Sequence, residues 1–288
     1  MIIDFHTHCF PESISVRTME TLSQKGHIRY YTEATSDALA WNMKQSDVDY
    51  SVNLPVMTKP EQVPKVNDRM IRQKEELFQN GIITFGGLHP AYEDYRSEIR
   101  KLKDAGIKGI KLHPAYQGIH INDIAYKRII GAISEAGLIT LVHSGLDVGF
   151  MGQNFASVPE LLEVVNEVRP EKFVLAHMGG WQGWDDVERD LAGAPVWLDT
   201  AFSLGPIEPR PGEESLMPLK ENLNEERFVR LARKHGIDKV LFATDSPWAR
   251  QREYIDFVKQ SSLTTVEKDH IFSGNALSLL ELPLGQIR

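Results

Sequence analysis

The sequence predicts an α/β fold, a single (β/α)8 barrel of the TIM type, and three observations carry that expectation. Short runs rich in Ile, Val and Leu alternate with longer amphipathic stretches, the pattern of βαβ units around a parallel sheet. Eight such runs fit within 288 residues, a length that suits one closed barrel. No glycine fingerprint of the G-x-G-x-x-G kind follows the first run, which weakens a doubly wound open sheet. Neither a linker nor a low-complexity tract divides the chain, so residues 1–288 read as one domain.

The expected strands, in order, are MIIDFH, YSVNLP, IITFGG, IKGIKLH, LITLVH, KFVLAH, PVWLD and KVLFATD. Helices are expected between them over 36–46, 62–80, 92–105, 123–136, 158–168, 184–191 and 225–235. Gly81, Gly106, Gly137 and Gly236 close four of these, where a left-handed residue commonly ends a helix. Segments 250–260 and 265–281 supply the last helical turns. The connections 9–35 and 200–224, the latter with four prolines, read as long loops after the first and seventh strands. In a barrel both lie over the mouth.

Composition narrows the function. With 40 acidic against 32 basic side chains, a net −8, general affinity for nucleic acid or anionic membranes is not expected. One cysteine, Cys9, excludes an internal disulfide framework. The start has no basic segment followed by an apolar stretch, and nowhere do apolar residues run to the roughly 18 needed to span a bilayer. The expectation is a soluble cytoplasmic protein acting on a small molecule, with a homo-oligomer left open.

Polar residues collect at one end of the expected strands. His6 and His8 close the first, His89 follows the third, and Lys111 and His113 close the fourth. His143 ends the fifth, His177 the sixth and Asp245 the eighth. Six of the ten histidines therefore stand where barrel enzymes keep their chemistry. By strict alternation His143 shares a face with Leu141 and Ile139, His177 with Leu175 and Phe173, and Asp245 with Ala243 and Leu241. Alternation also pairs Asp4 with His6, which would make Asp4 a buried acceptor behind the site.

Neutral imidazole and carboxylate are the usual ligands of Zn²⁺ and related ions. His6 and His8 would give two ligands, His143 a third and Asp245 a carboxylate, leaving room for an activated water. Asp245 would then accept that water's proton, and His177 would polarise substrate or orient the nucleophile. His113 and His89 each precede a proline, so shaping a turn competes with a role in the site. Trp181, Trp184, Trp248, Phe202 and Tyr116 follow strand ends and would wall an apolar pocket or pack loops on helices. Arg210 and Arg250 are candidates for an anionic substrate group, with solvated arginine as the plain alternative. Cys9 falls off the His6/His8 face and reads as structural, and His27, His120, His235 and His270 as solvated or loop residues.

The ordered set DFHTH, GIKLHP, LVHSG, LAHMGG, ATDSPW and SGNALSLLEL resembles the amidohydrolase superfamily over almost the whole chain. It looks most like the branch containing aminocarboxymuconate-semialdehyde decarboxylase, resorcylate decarboxylases and pyrone-dicarboxylate lactonases. That resemblance implies His6, His8, His143 and Asp245 as metal ligands and His177 as the histidine that activates water or substrate. It implies one divalent ion, most often zinc. Lys111 stands where binuclear members carry a carboxylated lysine bridging two metals; in this branch one metal is usual, so Lys111 reads as a cation facing substrate. The expected activity is metal-dependent hydrolysis of a small polar or carboxylated substrate. The alternatives are non-oxidative decarboxylation at the same metal and a barrel that binds without turnover.

Overall fold

The structure, a computed structural model, describes residues 1–216 and 222–282. Among these, nine strands run in chain order: β1 (Ile3–Thr7), β2 (Tyr50–Asn53), β3 (Ile82–Thr84), β4 (Gly86–Gly87) and β5 (Gly109–Leu112), then β6 (Ile139–Val142), β7 (Phe173–Leu175), β8 (Trp197–Asp199) and β9 (Val240–Leu241). Every pairing is parallel. They form two sheets, β1-β2-β3 and β4 through β9 in sequence order.

The third expected strand is thus split at Phe85, which gives its N–H to Asn53 O at 3.0 Å while β4 has turned to pair with β5. The Phe85 ring fills the strand-lined interior edge-on to Phe5. Gly109 makes the room for it, since a Cβ there would lie 2.3 Å from that ring. The two sheets also meet where the chain's first and last strands lie side by side. Phe5 N–H donates to Phe242 O at 2.9 Å, Asp245 N–H to His6 O at 2.8 Å and His8 N–H to Ser246 O at 2.8 Å.

Each sheet face has its own apolar cluster. One gathers Ile3, Phe5, Val52, Ile83, Phe85, Ile139, Leu141, Val174, Leu241 and Ala243, joined by Leu279 and Leu280. The other packs Ile110, Leu112, Val142, Phe173, Leu175 and Phe242 under the surrounding helices. This division corrects two of the expected faces. Phe173 and Leu175 belong to the helix-covered side, so alternation alone would send His177 away from the interior. Asp4 likewise points outward between the inward Ile3 and Phe5, and a register irregularity between Asp4 and Thr7 re-aims His6.

The helices follow the expected order, among them Ser36–Ser46, Gln62–Gln79, Val158–Val168 and Glu225–His235. The connection after β1 is not a bare loop. It carries the helix Glu12–Gly26, whose buried positions are Ser15, Met19, Ser23 and Gly26. Three small or polar residues among four give no apolar periodicity to read. Trp184–Asp186 passes into a π-helical turn, Val187–Leu191, instead of continuing as α-helix. Of the connection 200–224, residues 217–221 lie outside the described residues, as does the end of the chain beyond 282. No helix among the described residues is long and apolar enough to cross a membrane.

Candidate metal centre and active site

Beyond the C-terminal strand ends lies a cavity lined by His6, His8, Lys111, His143, His177 and Asp245 at one pole. His113, Asp147, Tyr116, Trp181, Phe202 and Trp248 extend the lining, and Phe10, Leu22, Ile28 and Leu146 complete an apolar wall. Strand pairing and two left-handed backbone positions bring the polar groups together. Lys111 and His113 follow the interior alternation of β5, with the alternate Ile110 and Leu112 turned to the helices. His177, Met178 and Gly179 take φ values of 61°, 52° and 82°, which swings the His177 ring back over the interior. Asp245, already on the interior face of Leu241 and Ala243, is also left-handed at φ 68°. Gly145, in LVHSG, has φ 85° and lies against the Trp181 backbone, where a Cβ would come within 2.3 Å of Trp181 N.

The hydrogen bonds settle which ring nitrogens face the cavity. His8 Nδ1 sits 2.7 Å from Leu54 O, and a carbonyl only accepts, so Nδ1 carries the proton and Nε2 is bare. His6 Nδ1 is 2.9 Å from the Asp199 carboxylate, which leaves its Nε2 bare as well. His177 Nδ1 donates to Ala201 O at 2.9 Å, and His143 Nε2 donates to Leu146 O at 3.0 Å. The remaining nitrogens, His177 Nε2 and His143 Nδ1, face each other at 2.9 Å.

Asp245 Oδ1 lies 3.1 Å from His8 Nε2 and 3.8 Å from His6 Nε2 and is buried without a hydrogen-bond partner. The pole therefore presents acceptor atoms of His6, His8, His143, His177 and Asp245 to one another. Its one cationic donor is Lys111 Nζ, 3.0 Å from His6 Nε2. Such a set lacks positive charge, and a divalent cation meets that need.

The proton equilibria agree with this. Burial, then the nearby Lys111, holds His6 well below the usual imidazole range; burial, then His177, does the same for His143. Burial lowers His177 too, and burial followed by His143 depresses His113 strongly. Burial works to raise Asp245, but positive charge on the His6 and His8 rings outweighs it and favours the ionised carboxyl. Lys111 is pushed down to about 8 by burial. Neutral imidazoles beside an ionised carboxylate are the states a metal requires of its ligands.

Not every expected residue arrives at the pole in one group. His6, His8 and Asp245 place ligand atoms within 4.8 Å of one another, whereas His143 groups with His113 and Asp147. The His113 and His143 rings stack at 4.3 Å between centroids. Trp248 reaches the lining. Arg210 and Arg250 do not: Glu20 and Ser23 hold Arg210 at 2.8 and 3.0 Å, and Arg250 pairs with Glu253 at 2.6 Å. Glu20, on the helix Glu12–Gly26, and Glu253, on the helix that Arg250 itself caps, have already neutralised the two. Trp184 is spent behind the site, donating to His177 O at 3.1 Å. His89 is a turn residue whose Nδ1 accepts from Ala91 N–H at 3.1 Å. Cys9 lies outside the lining, its thiol raised to about 12 by burial.

Asp4 takes no part in orienting His6 through its ring. It accepts from Thr244 Oγ1 at 2.6 Å and Gln251 Nε2 at 2.8 Å on the helix-covered side. The carboxylate that fills the anticipated role is Asp199, the last residue of PVWLD. The sequence signal was present, since Asp199 ends a strand at the same end as the other polar tips. Asp147, four residues past His143 in the connection after β6, is the second residue that sequence reasoning missed.

A parallel α/β fold with histidines and an aspartate converging beyond its strand ends defines an enzyme of the amidohydrolase superfamily. The chain belongs to the amidohydrolase family: a family model described as "Amidohydrolase" matches residues 3–282. No curated protein matches it at sequence level. Among solved structures it is similar to 2,6-dihydroxybenzoate decarboxylase from Rhizobium, with a TM-score of 0.70, 12% identity, and 97% and 98% of the two chains covered. A dihydroxybenzoic acid decarboxylase from Polaromonas sp. JS666, with bound manganese and the inhibitor 2-nitroresorcinol, gives 0.71 and 13% over 99% and 98%. A probable 2-pyrone-4,6-dicarboxylic acid hydrolase from Acinetobacter baumannii gives 0.62 and 15% over 98% and 99%.

Proposed function

We propose that this chain is a single-domain, cytoplasmic (β/α)8-barrel decarboxylase that acts on a small aromatic or unsaturated carboxylic acid with one divalent metal. The observation that carries the reading is the division of the cavity into an acceptor-rich pole and an aromatic and aliphatic wall. At the pole the clustered His6, His8 and Asp245 would hold the metal, with His143 proposed as a fourth ligand, and the manganese of one similar structure fits that reading as well as zinc does. When bound, the metal supplies a Lewis acid for a substrate carboxylate or hydroxyl oxygen.

The chain's own residues do the rest. Phe202, Trp181, Trp248 and Leu146 offer flat and aliphatic surface to an unsaturated ring and keep water from the reacting carbon. Lys111, the one lysine or arginine of the lining among the described residues, pairs with the carboxylate that will leave. Its position beside His6 Nε2 favours this role over a carboxylated bridge. His177 Nε2 faces the cavity and moves the proton. The bond between the substrate carbon and its carboxylate breaks, CO₂ leaves, and the electron pair left on carbon takes up a proton relayed through His177.

Hydrolysis, the reaction expected first from the sequence, finds less support. The similar structures from Rhizobium and Polaromonas are both decarboxylases, and among the described residues the lining offers no arginine for the second carboxylate of a dicarboxylic acid. The experiment that separates the two supplies hydroxybenzoic and muconate-type acids, and in parallel a carboxylated lactone, with Mn²⁺ or Zn²⁺ in H₂¹⁸O. The expected result is one CO₂ per acid consumed, no ¹⁸O in the organic product, and deuterium at the former carboxyl carbon when D₂O is used. Product carrying ¹⁸O in a new carboxyl group, without CO₂, would overturn decarboxylation.

A further inference from the structure

We propose that Asp199 is a positioning residue that sets the tautomer of His6 and thereby decides whether His6 offers a lone pair to a metal; this rests on the metal reading above. Asp199 ends β8, is fully buried and does not line the cavity. Its Oδ1 accepts from the backbone N–H of His177 at 2.9 Å and of Ala201 at 3.1 Å. Its Oδ2 lies 2.9 Å from His6 Nδ1. The two backbone donors cannot change role, so Oδ1 is committed to accepting. Only Oδ2 is left for His6, and as a carboxylate oxygen it requires a proton on Nδ1. Nε2 is then bare toward Asp245 and Lys111. One carboxylate thus couples the left-handed turn that aims His177 to the protonation pattern of a ring on β1.

This arrangement reverses the usual order of substitutions. In Asp199→Asn the single oxygen must serve the two backbone N–H groups, and the NH₂ is turned against His6 Nδ1. A donor facing that nitrogen demands a bare Nδ1 and places the proton on Nε2, where it blocks the metal. Asp199→Ala removes the director but imposes no wrong tautomer. Metal affinity is expected to fall about 10-fold in the alanine variant and about 100-fold in the isosteric asparagine variant, the span seen for partners behind metal ligands. A purely structural carboxylate gives the opposite order, because asparagine keeps the shape.

The test is competition titration of Zn²⁺ against a chromophoric chelator with metal-free wild type, D199N and D199A, alongside urea midpoints. ¹⁵N spectra of the histidine rings in the metal-free wild type report the tautomer of His6 directly. Support is the order wild type, D199A, D199N in affinity with an Nδ1–H signature for His6. D199N binding zinc as tightly as wild type, or an Nε2–H signature for His6, overturns the proposal. If neither variant folds, the wild-type ring spectrum decides on its own. Wild type that binds no zinc overturns the metal reading and this inference with it, whereas a normal wild type with an unaffected D199N removes only the role of Asp199.

Discussion

Asp245→Asn leaves the protein folded but without metal and without measurable turnover. The backbone tolerates the change, since Asp245 sits at φ 68° and asparagine is among the residues that adopt this conformation readily. Its N–H bond to His6 O is unaffected. The electrostatics are transformed, because Asp245 is the only anionic group among the four proposed ligands and its buried Oδ1 has no protein donor. Three neutral imidazoles and an amide oxygen hold a divalent cation far less well. Affinity should therefore fall by more than the roughly 10–100-fold that removing an outer partner costs. In the metal-free protein the surroundings favour the ionised carboxyl, so the variant's melting temperature without metal is expected to equal or fall below that of wild type. Metal analysis after dialysis, paired with melting curves with and without Mn²⁺, checks both halves. Full metal content in the variant would contradict the role given to Asp245.

His177→Asn is expected to separate chemistry from metal binding. Asparagine again suits the left-handed backbone, here at φ 61°, and preserves the bond from the residue's N–H to Asp199. The imidazole that faces His143 and the cavity is lost. Metal content should stay at the wild-type level, while kcat falls by about 10²–10⁴, the usual worth of a positioned proton-transfer group. KM should change little, because His177 is not assigned to holding the substrate. Measuring kcat, KM and metal content on one preparation tests the assignment. A loss of metal with the loss of rate would make His177 a ligand instead.

The strands, most helices and the end of the sheet that bears the site were legible because their signals are local. Apolar runs, closing glycines and polar residues at strand tips need no knowledge of partners. Where the reading failed, geometry beyond period-two alternation was responsible. His177 reaches the interior through left-handed residues, against the face shared by Phe173 and Leu175. His6 reaches it through a register irregularity that leaves Asp4 on the other side. Glu12–Gly26 stayed hidden because its buried face is built from Ser15, Ser23 and Gly26 around Met19. Arg210 was attractive in isolation, and only the fold brings up the Glu20 carboxylate that neutralises it, whereas the partner of Arg250, Glu253, stands three residues on. Asp199 was overlooked for a related reason: its importance lies in three donors from three separate places in the chain.

Everything proposed for the chemistry depends on an acceptor-rich pole, pinned in its tautomers by Leu54, Asp199 and Leu146, that holds one divalent metal. Anomalous scattering from crystals grown with Mn²⁺ locates that metal without reference to any substrate. A single peak is expected, bonded to His6 Nε2, His8 Nε2, His143 Nδ1 and Asp245 Oδ1, with the Lys111 amine unmodified. No peak at these atoms, or two peaks bridged through a carboxylated Lys111, would refute it.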